Sequence, residues 1–142
     1  YNYVFNFKLH PLTGTVDPTY KKYLNNLSKL SKYKSNELYD YFSKTDILIC
    51  DISGVISDFL YFNKPIIVYK PKFIKNIYKE FPLTKCTYII DNSSNIGDTI
   101  NKIKQNDYLS EERKKIRKYV MGDKESSINR INKAFSSIVK GN

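Results

Sequence analysis

Three short apolar runs, spaced along one stretch of the chain, limit most strongly how it can fold. They occupy positions 47–50, 66–69 and 87–90, are rich in β-branched residues and are bounded by polar residues. The segments at 55–62 and 95–105 instead carry apolar residues at helical spacing. Strands that alternate with helices form a parallel sheet whose two faces are covered. The sequence therefore predicts an α/β, Rossmann-like fold in which all three runs are buried strands.

Further elements are predicted on either side of these strands. Residues 3–9 alternate in polarity, which predicts a strand that ends before Pro11. Helices are predicted, from capping residues or apolar spacing, in the regions 18–30, 36–42, 110–119 and 125–139. A length of 142 residues suits one domain, so residues 1–142 are interpreted as a single domain. Because the sequence begins at Tyr1 in strand-like residues, we interpret it as a fragment of a longer protein.

The charge balance limits which kinds of partner the chain is expected to bind. Lys and Arg number 24 against 14 Asp and Glu, which gives a net charge of +10. A phosphate-rich partner is one interpretation. The other is AT-rich codon usage, because the chain is heavy in Lys, Asn, Ile and Tyr. Arg, which binds phosphate and guanine better than Lys does, occurs at three positions only. Nucleic acid is therefore not the expected partner.

The cysteine and histidine content excludes two kinds of site. Cys50 and Cys86 are not in CxxC spacing, and two thiols cannot form a disulfide framework. Cys50 is predicted to be a small core residue, and a reducing cytoplasm fits both thiols. A single His excludes a His-rich metal site, so no metal and no cofactor are predicted. No apolar run approaches the ~18 residues of a membrane span.

Polar residues follow two of the predicted strands, where parallel sheets bind their ligands. His10 follows the first strand, and residues 51–54 follow the strand at 47–50. Ser53 can cap the next helix, while Gly54 lets the backbone approach a ligand. The free amides of a helix start suit a diphosphate. Asp58, one turn beyond Gly54, can accept hydrogen bonds from ribose hydroxyls. The alternative is an ordinary capped helix with Asp58 exposed.

Three motifs resemble one enzyme family. Residues 51–59 (DISGVISDF) and 61–67 (YFNKPII) resemble the signature of the CDP-glycerol glycerophosphotransferase family, which includes teichoic acid polymerases and primases. Residues 8–11 (KLHP) resemble its upstream Arg-Leu-His-Pro. Residues 122–127 (GDKESS), followed by Arg130, resemble its closing Asp-Gly-Lys-Ala-Ser-Glu-Arg. The resemblance implies that the chain is the C-terminal, nucleotide-binding half of a GT-B fold of two Rossmann-like domains.

The resemblance also implies a role for each matched residue. His10 would act in catalysis or hold the donor's phosphates. Ser53 and Gly54, with the amide of Val55 where the helix begins, would meet the diphosphate, and Asp58 would face the ribose. A phosphate contact is also predicted for the two serines of the closing motif, Ser126 and Ser127, although a helix N-cap explains them equally well.

The implied reaction moves glycerol phosphate from CDP-glycerol to a hydroxyl of a glycan or lipid-linked polymer and releases CMP. The isolated chain is expected to bind nucleotide weakly and to turn nothing over. Ile52 replaces a family Tyr and Gly54 replaces a family Ser, so the donor stays open. A UDP-sugar glycosyltransferase or 2-epimerase is one alternative, because residues 51–58 also resemble the Gly-Gly-Val-Gln-Glu-Glu of UDP-N-acetylglucosamine 2-epimerases. A non-catalytic basic module that binds anionic lipid or nucleic acid is another.

Family members work at the inner face of the cell membrane, which implies a cytoplasmic location with peripheral membrane contact. A basic cluster at Arg113, Lys114, Arg117 and Lys118 would fit such a surface. The alternative for this cluster is a solvated helix face.

Overall fold

The computed structural model describes residues 3–8, 19–30 and 37–122, together with six positions between 129 and 137. Two compact units divide the chain, Tyr1–Asp46 and Ile47–Asn142. The first unit contains helix α1, Thr19–Leu30, and helix α2, Leu38–Lys44. Both helices lie where apolar spacing predicted them.

The buried residues among those described in the first unit lie on α2. Tyr41 and Phe42 are buried, and the Lys8 ammonium lies 5.5 Å from the centroid of the Tyr41 ring. Residues 3–8, which were predicted to form a strand, lie in neither a helix nor a strand. Phe5 does contact both neighbouring rings: it meets Tyr3 edge-on with centroids 6.3 Å apart and stacks on Phe7 with centroids 6.4 Å apart. The alternating pattern therefore places these rings on one side, but the prediction of a strand was wrong for residues 3–8.

A three-stranded parallel sheet forms the centre of the second unit. Its strands are β1, Leu48–Cys50, β2, Ile66–Tyr69, and β3, Tyr88–Ile90, in the spatial order β1-β2-β3. The three predicted apolar runs are these strands. The α/β, Rossmann-like fold class is thus confirmed.

Burial differs along the sheet from what the sequence predicted. Ile66, Ile67 and Val68 in the central strand β2 are fully buried, as expected of a covered parallel strand. In the edge strand β1, by contrast, Leu48 and Cys50 are half-buried and Ile49 is 38% exposed. Successive side chains point to opposite faces, so Ile49 lies on the face of β1 that the described residues leave uncovered. The prediction that β1 is buried on both faces was wrong.

Helices connect and flank the strands. The chain between β1 and β2 forms α3, Val55–Phe59, and continues as a 3₁₀ helix, Leu60–Phe62. After β2 come α4, Ile77–Glu80, and a 3₁₀ helix, Pro82–Cys86. After β3 come α5, Ile96–Gln105, and α6, Ser110–Met121. The core of this unit includes Phe59 and Leu60 from the first connection and Ile100 and Ile103 from α5, all buried.

Both cysteines carry protonated thiols in this fold. Cys86 is fully buried at the end of the second 3₁₀ helix, and desolvation raises its pKa to about 11. Cys50 is half-buried in β1, where desolvation and the neighbouring Asp51 carboxylate raise its pKa to about 12. Thiols with such pKa values are poor nucleophiles at neutral pH.

The residue before Lys64 and Pro65 turns the chain from the 3₁₀ helix into β2. Asn63 has φ 50° and ψ 29°, in the left-handed region, and its buried Oδ1 has no hydrogen-bond partner within the described residues. The side chain therefore contributes little, and its backbone conformation is what matters. We expect Asn63→Ala to unfold more easily than Asn63→Gly by about 1 kcal/mol, because a Cβ is strained in this region. Urea denaturation of the two variants measures the difference, and equal stabilities would contradict it.

An ion pair between a buried arginine and a partly buried aspartate joins α6 to the turn before it. The Arg113 guanidinium is fully buried and donates from Nη2 to Oδ2 of Asp107, whose Oδ1 accepts a 2.8 Å hydrogen bond from the Tyr88 hydroxyl. Nε and Nη1 of Arg113 have no partner among the described residues. The sequence had placed Arg113 in a basic surface cluster, and that was wrong. Its neighbours on α6 are also engaged: Lys114 pairs with Glu111, and Arg117 lies over the Tyr61 ring at 5.5 Å.

Candidate functional site

The carboxyl ends of the three parallel strands bring three charged residues to one edge of the sheet. Asp51 follows β1, Lys70 follows β2 and Asp91 follows β3. The register pairs Tyr69 with Ile90, and the Lys70 amide extends this ladder by donating to the Ile90 carbonyl at 2.8 Å. Lys70 and Asp91 are therefore neighbours at this edge, which we call the carboxyl edge.

A cavity of about 480 Å³ opens at the carboxyl edge between β2 and β3. It is lined by Lys70, Lys72, Asp91, Asn92 and Ser93. The Lys70 ammonium is half-buried and donates to the Ile74 carbonyl at 3.2 Å, which fixes its position and leaves two of its three protons for a ligand. Lys72 is exposed and makes no hydrogen bond or ion pair to the described residues. The cavity thus offers two cations beside the end of a strand.

The turn after β3 is ordered by its own side chains. Oδ1 of Asp91 accepts hydrogen bonds from the Ser93 amide at 2.9 Å, the Ser93 hydroxyl at 2.7 Å and the Ser94 hydroxyl at 3.0 Å. These bonds, together with the charge of Lys70, lower the pKa of Asp91. The Tyr69 hydroxyl donates to Oδ1 of Asn92. The turn that lines the cavity is therefore held in place by its own hydrogen bonds. The Asp91 carboxylate in it remains ionised at neutral pH.

The predicted phosphate-binding segment lies at the same edge, after β1. Gly54 is the N-cap of α3, and any residue can adopt its φ and ψ of −60° and −19°. The Ser53 carbonyl accepts from the Ile56 amide at 3.3 Å, so the cap is made by the backbone and the prediction of a Ser53 side-chain cap was wrong. The Gly54 and Val55 amides make no hydrogen bond to the described residues. A Cβ at Gly54 would meet nothing within 4 Å, so a ligand can approach these two amides.

The other predicted site residues divide into two groups. Asp58 lies on α3, one turn beyond Gly54, where it is exposed and makes no hydrogen bond or ion pair to the described residues. His10, Ser126 and Ser127 lie outside the described residues. Their assigned roles stay predictions.

The sequence reasoning missed the lysines and the polar turn of the cavity. Lys70 and Asp91 each come directly after an apolar run, as Asp51 does. The rule that ligands bind beyond strand ends therefore applied to all three positions. Applied only to the ends of the first strand and of β1, the rule predicts His10 and residues 51–54 and leaves Lys70 and Asp91 out.

Comparison with known families decides the class of protein. The sequence model of the CDP-glycerol:poly(glycerophosphate) glycerophosphotransferase family matches residues 1–134, nearly the whole chain.

The chain belongs to this family.

Its members use a CDP-glycerol donor and a polymer acceptor, so the chain is assigned to the glycerophosphotransferases of teichoic acid biosynthesis. No curated protein and no solved structure matched the chain. Within the described residues, no helix combines the length and the apolar character needed to span a bilayer.

Proposed function

We propose that this chain is the donor-binding half of a GT-B glycerophosphotransferase and that it binds CDP-glycerol at the carboxyl edge of its sheet. The observation that carries the proposal is the cavity that holds Lys70 and Lys72 at the end of β2. The donor of the family is a diphosphate, and a cavity with two cations at a strand end suits it. Because the chain belongs to this family, we can propose one specific ligand, CDP-glycerol, for this polar cavity.

The phosphates are held from two directions in this proposal. Lys70 and Lys72 supply positive charge from the end of β2, and the open amides of Gly54 and Val55 supply donors after β1. Because the strands are parallel and adjacent, both groups lie at one edge of the sheet. Hydrogen bonds between ionised groups are roughly twice as strong as neutral ones, so the lysines dominate the affinity.

These groups also suit the transfer step. The acceptor hydroxyl oxygen forms a bond to the β-phosphorus and loses its proton to a base. The bond from that phosphorus to the bridging oxygen breaks, and CMP leaves with the electron pair. Negative charge grows on the departing phosphate, and fixed cations placed there stabilise it more in the transition state than in the ground state. Lys70, held by the Ile74 carbonyl, is such a fixed cation.

Asp58 completes the proposal by accepting hydrogen bonds from the ribose hydroxyls. We expect Asp58→Ala to weaken CDP binding by about tenfold or more, since a hydrogen bond to a charged group contributes about 1.5–3 kcal/mol. The same variant should lose the preference of the wild type for CDP over 2′-deoxy-CDP. Isothermal titration calorimetry of both nucleotides with both proteins measures this.

Glu80→Ala is the matched control, because Glu80 is an exposed carboxylate on α4 that does not line the cavity at the carboxyl edge. It should bind CDP as the wild type does. If Asp58→Ala prefers CDP over 2′-deoxy-CDP as strongly as the wild type does, Asp58 does not bind the ribose hydroxyls. A wild-type chain that binds neither CDP, CMP nor CDP-glycerol would overturn the proposed function itself.

A further inference from the structure

We propose that a second cavity, at the other end of β3, binds the phosphodiester-linked polyol chain of the acceptor. The proposal rests on the proposed function, because it takes the acceptor class from the family. The cavity measures about 370 Å³, and its lining includes Tyr78, Lys85, Tyr88, Lys102 and Tyr108. No residue of the cavity at the carboxyl edge lines it.

The position of this cavity separates it from the donor. Tyr88 is the first residue of β3, and the carboxyl edge begins after Ile90 with Asp91. Three steps along a strand span about 10 Å. A polymer held at Tyr88 would therefore lie beside the donor site without occupying it.

The charges of the cavity select an anion. Its charged residues are Lys85 and Lys102, both exposed, and neither makes an ion pair or hydrogen bond to the described residues. The hydroxyls of Thr87 and Thr99 are already used, since they donate to the carbonyls of Thr84 and Asn95. The unused polar groups therefore include two ammonium ions and no carboxylate. This differs from the cavity at the carboxyl edge, where Asp91 stands beside the lysines.

The rings of Tyr88 and Tyr108 form an apolar wall of the cavity. The Tyr108 ring is 67% exposed and packs edge-on against Tyr88 with centroids 5.1 Å apart. Tyr88 is itself anchored, because its hydroxyl donates to Asp107, which binds the buried Arg113. Desolvation and the bond to Asp107 raise the pKa of Tyr88 to about 12, so this hydroxyl stays a donor. Rigid aromatic faces beside cations suit a ligand with C–H surfaces between its charges.

A polyol phosphate has this chemistry, with apolar carbon faces between regularly spaced negative charges. Poly(glycerophosphate) is the acceptor that the family description names. Single-stranded nucleic acid also combines stacking groups with phosphates. The scarcity of Arg and the family assignment favour the polyol polymer, and nucleic acid becomes an outcome of the test.

The test measures binding of a short synthetic glycerol phosphate oligomer to the 142-residue chain by fluorescence anisotropy at low and at physiological salt. Lys85→Ala with Lys102→Ala should raise the dissociation constant about tenfold, because two exposed charge pairs are lost. Tyr108→Ala should weaken binding without changing the net charge. The matched control is Lys75→Ala with Lys104→Ala, which removes two exposed charges outside both cavities. This control should bind nearly as the wild type does.

Calorimetry with CDP on the same variants keeps the two proposals apart. Normal CDP binding by the Lys85 and Lys102 double variant, together with its loss of oligomer binding, supports the second cavity. A wild type that binds CDP but not the oligomer overturns the second cavity alone. Equal losses in the control and the test variants overturn it as well, since binding would then reflect net charge. Tighter binding of a single-stranded oligonucleotide at the same residues would assign the cavity to nucleic acid and also overturn it.

Discussion

Asp107→Ala is expected to lower the free energy of unfolding by about 3 kcal/mol, because it leaves the fully buried Arg113 guanidinium without its counter-ion. The same change removes the acceptor of the Tyr88 hydroxyl. Nε and Nη1 of Arg113 already lack partners among the described residues, so the guanidinium has no second acceptor there to compensate. For a domain whose total stability is about 5–15 kcal/mol, this is a large loss. Urea denaturation followed by circular dichroism measures it.

Two further variants make this prediction specific. Glu111→Ala removes the exposed ion pair with Lys114 on the same helix, and it should change the unfolding free energy by less than about 1 kcal/mol. Asp107→Ala combined with Arg113→Met removes both charges of the pair and leaves no unpaired buried charge, so it should be more stable than Asp107→Ala alone. A double variant as unstable as the single one would show that the cost comes from the Tyr88 contact or the local turn and not from the unpaired charge.

Lys70→Ala combined with Lys72→Ala is expected to raise the dissociation constant of CDP about thirtyfold. Each of the two lysine–phosphate pairs contributes about 1 kcal/mol, and 1.4 kcal/mol corresponds to a factor of ten. Cytidine carries no phosphate, so its weaker binding should not change. The difference between the two ligands, measured by calorimetry, isolates the charge of the cavity from its shape.

The control for this pair is again Lys75→Ala with Lys104→Ala, which changes the net charge by the same amount outside the cavity. It should retain CDP affinity within about twofold at physiological salt, where distant charges are screened. Parallel losses for CDP and cytidine in the Lys70 and Lys72 variant would point to a damaged turn after β2. Unchanged CDP affinity would move the phosphates away from β2 and leave only the amides after β1.

Local sequence patterns were sufficient to predict the strands, most of the helices and the polar residues that follow β1 at the carboxyl edge. The apolar runs and helical spacing placed β1, β2 and β3, the helix between β1 and β2 and the helix after β3 within a few residues, since burial of one face imposes a period on the sequence. They did not predict α4 and the 3₁₀ helix between β2 and β3. Ser53, Gly54 and Asp58 could be proposed from the sequence because they lie in one continuous motif. Lys70 and Lys72 follow β2 whereas Asp91 follows β3, and the proximity of the lysines to Asp91 follows only from the register of β2 with β3.

The amino-acid sequence by itself determined the family, the alternation of strands with helices and the polar character of the segment after β1. The tertiary structure alone decided that Arg113 is a core residue, although its sequence neighbours are all charged or polar. It also decided that Ile49 is exposed and that Lys85 and Lys102 share a cavity. The physical reason is that periodicity reports which side of its own element a residue occupies. Burial of a charge and the lining of a cavity depend on which other elements pack there, and that is set by contacts between residues distant in the sequence.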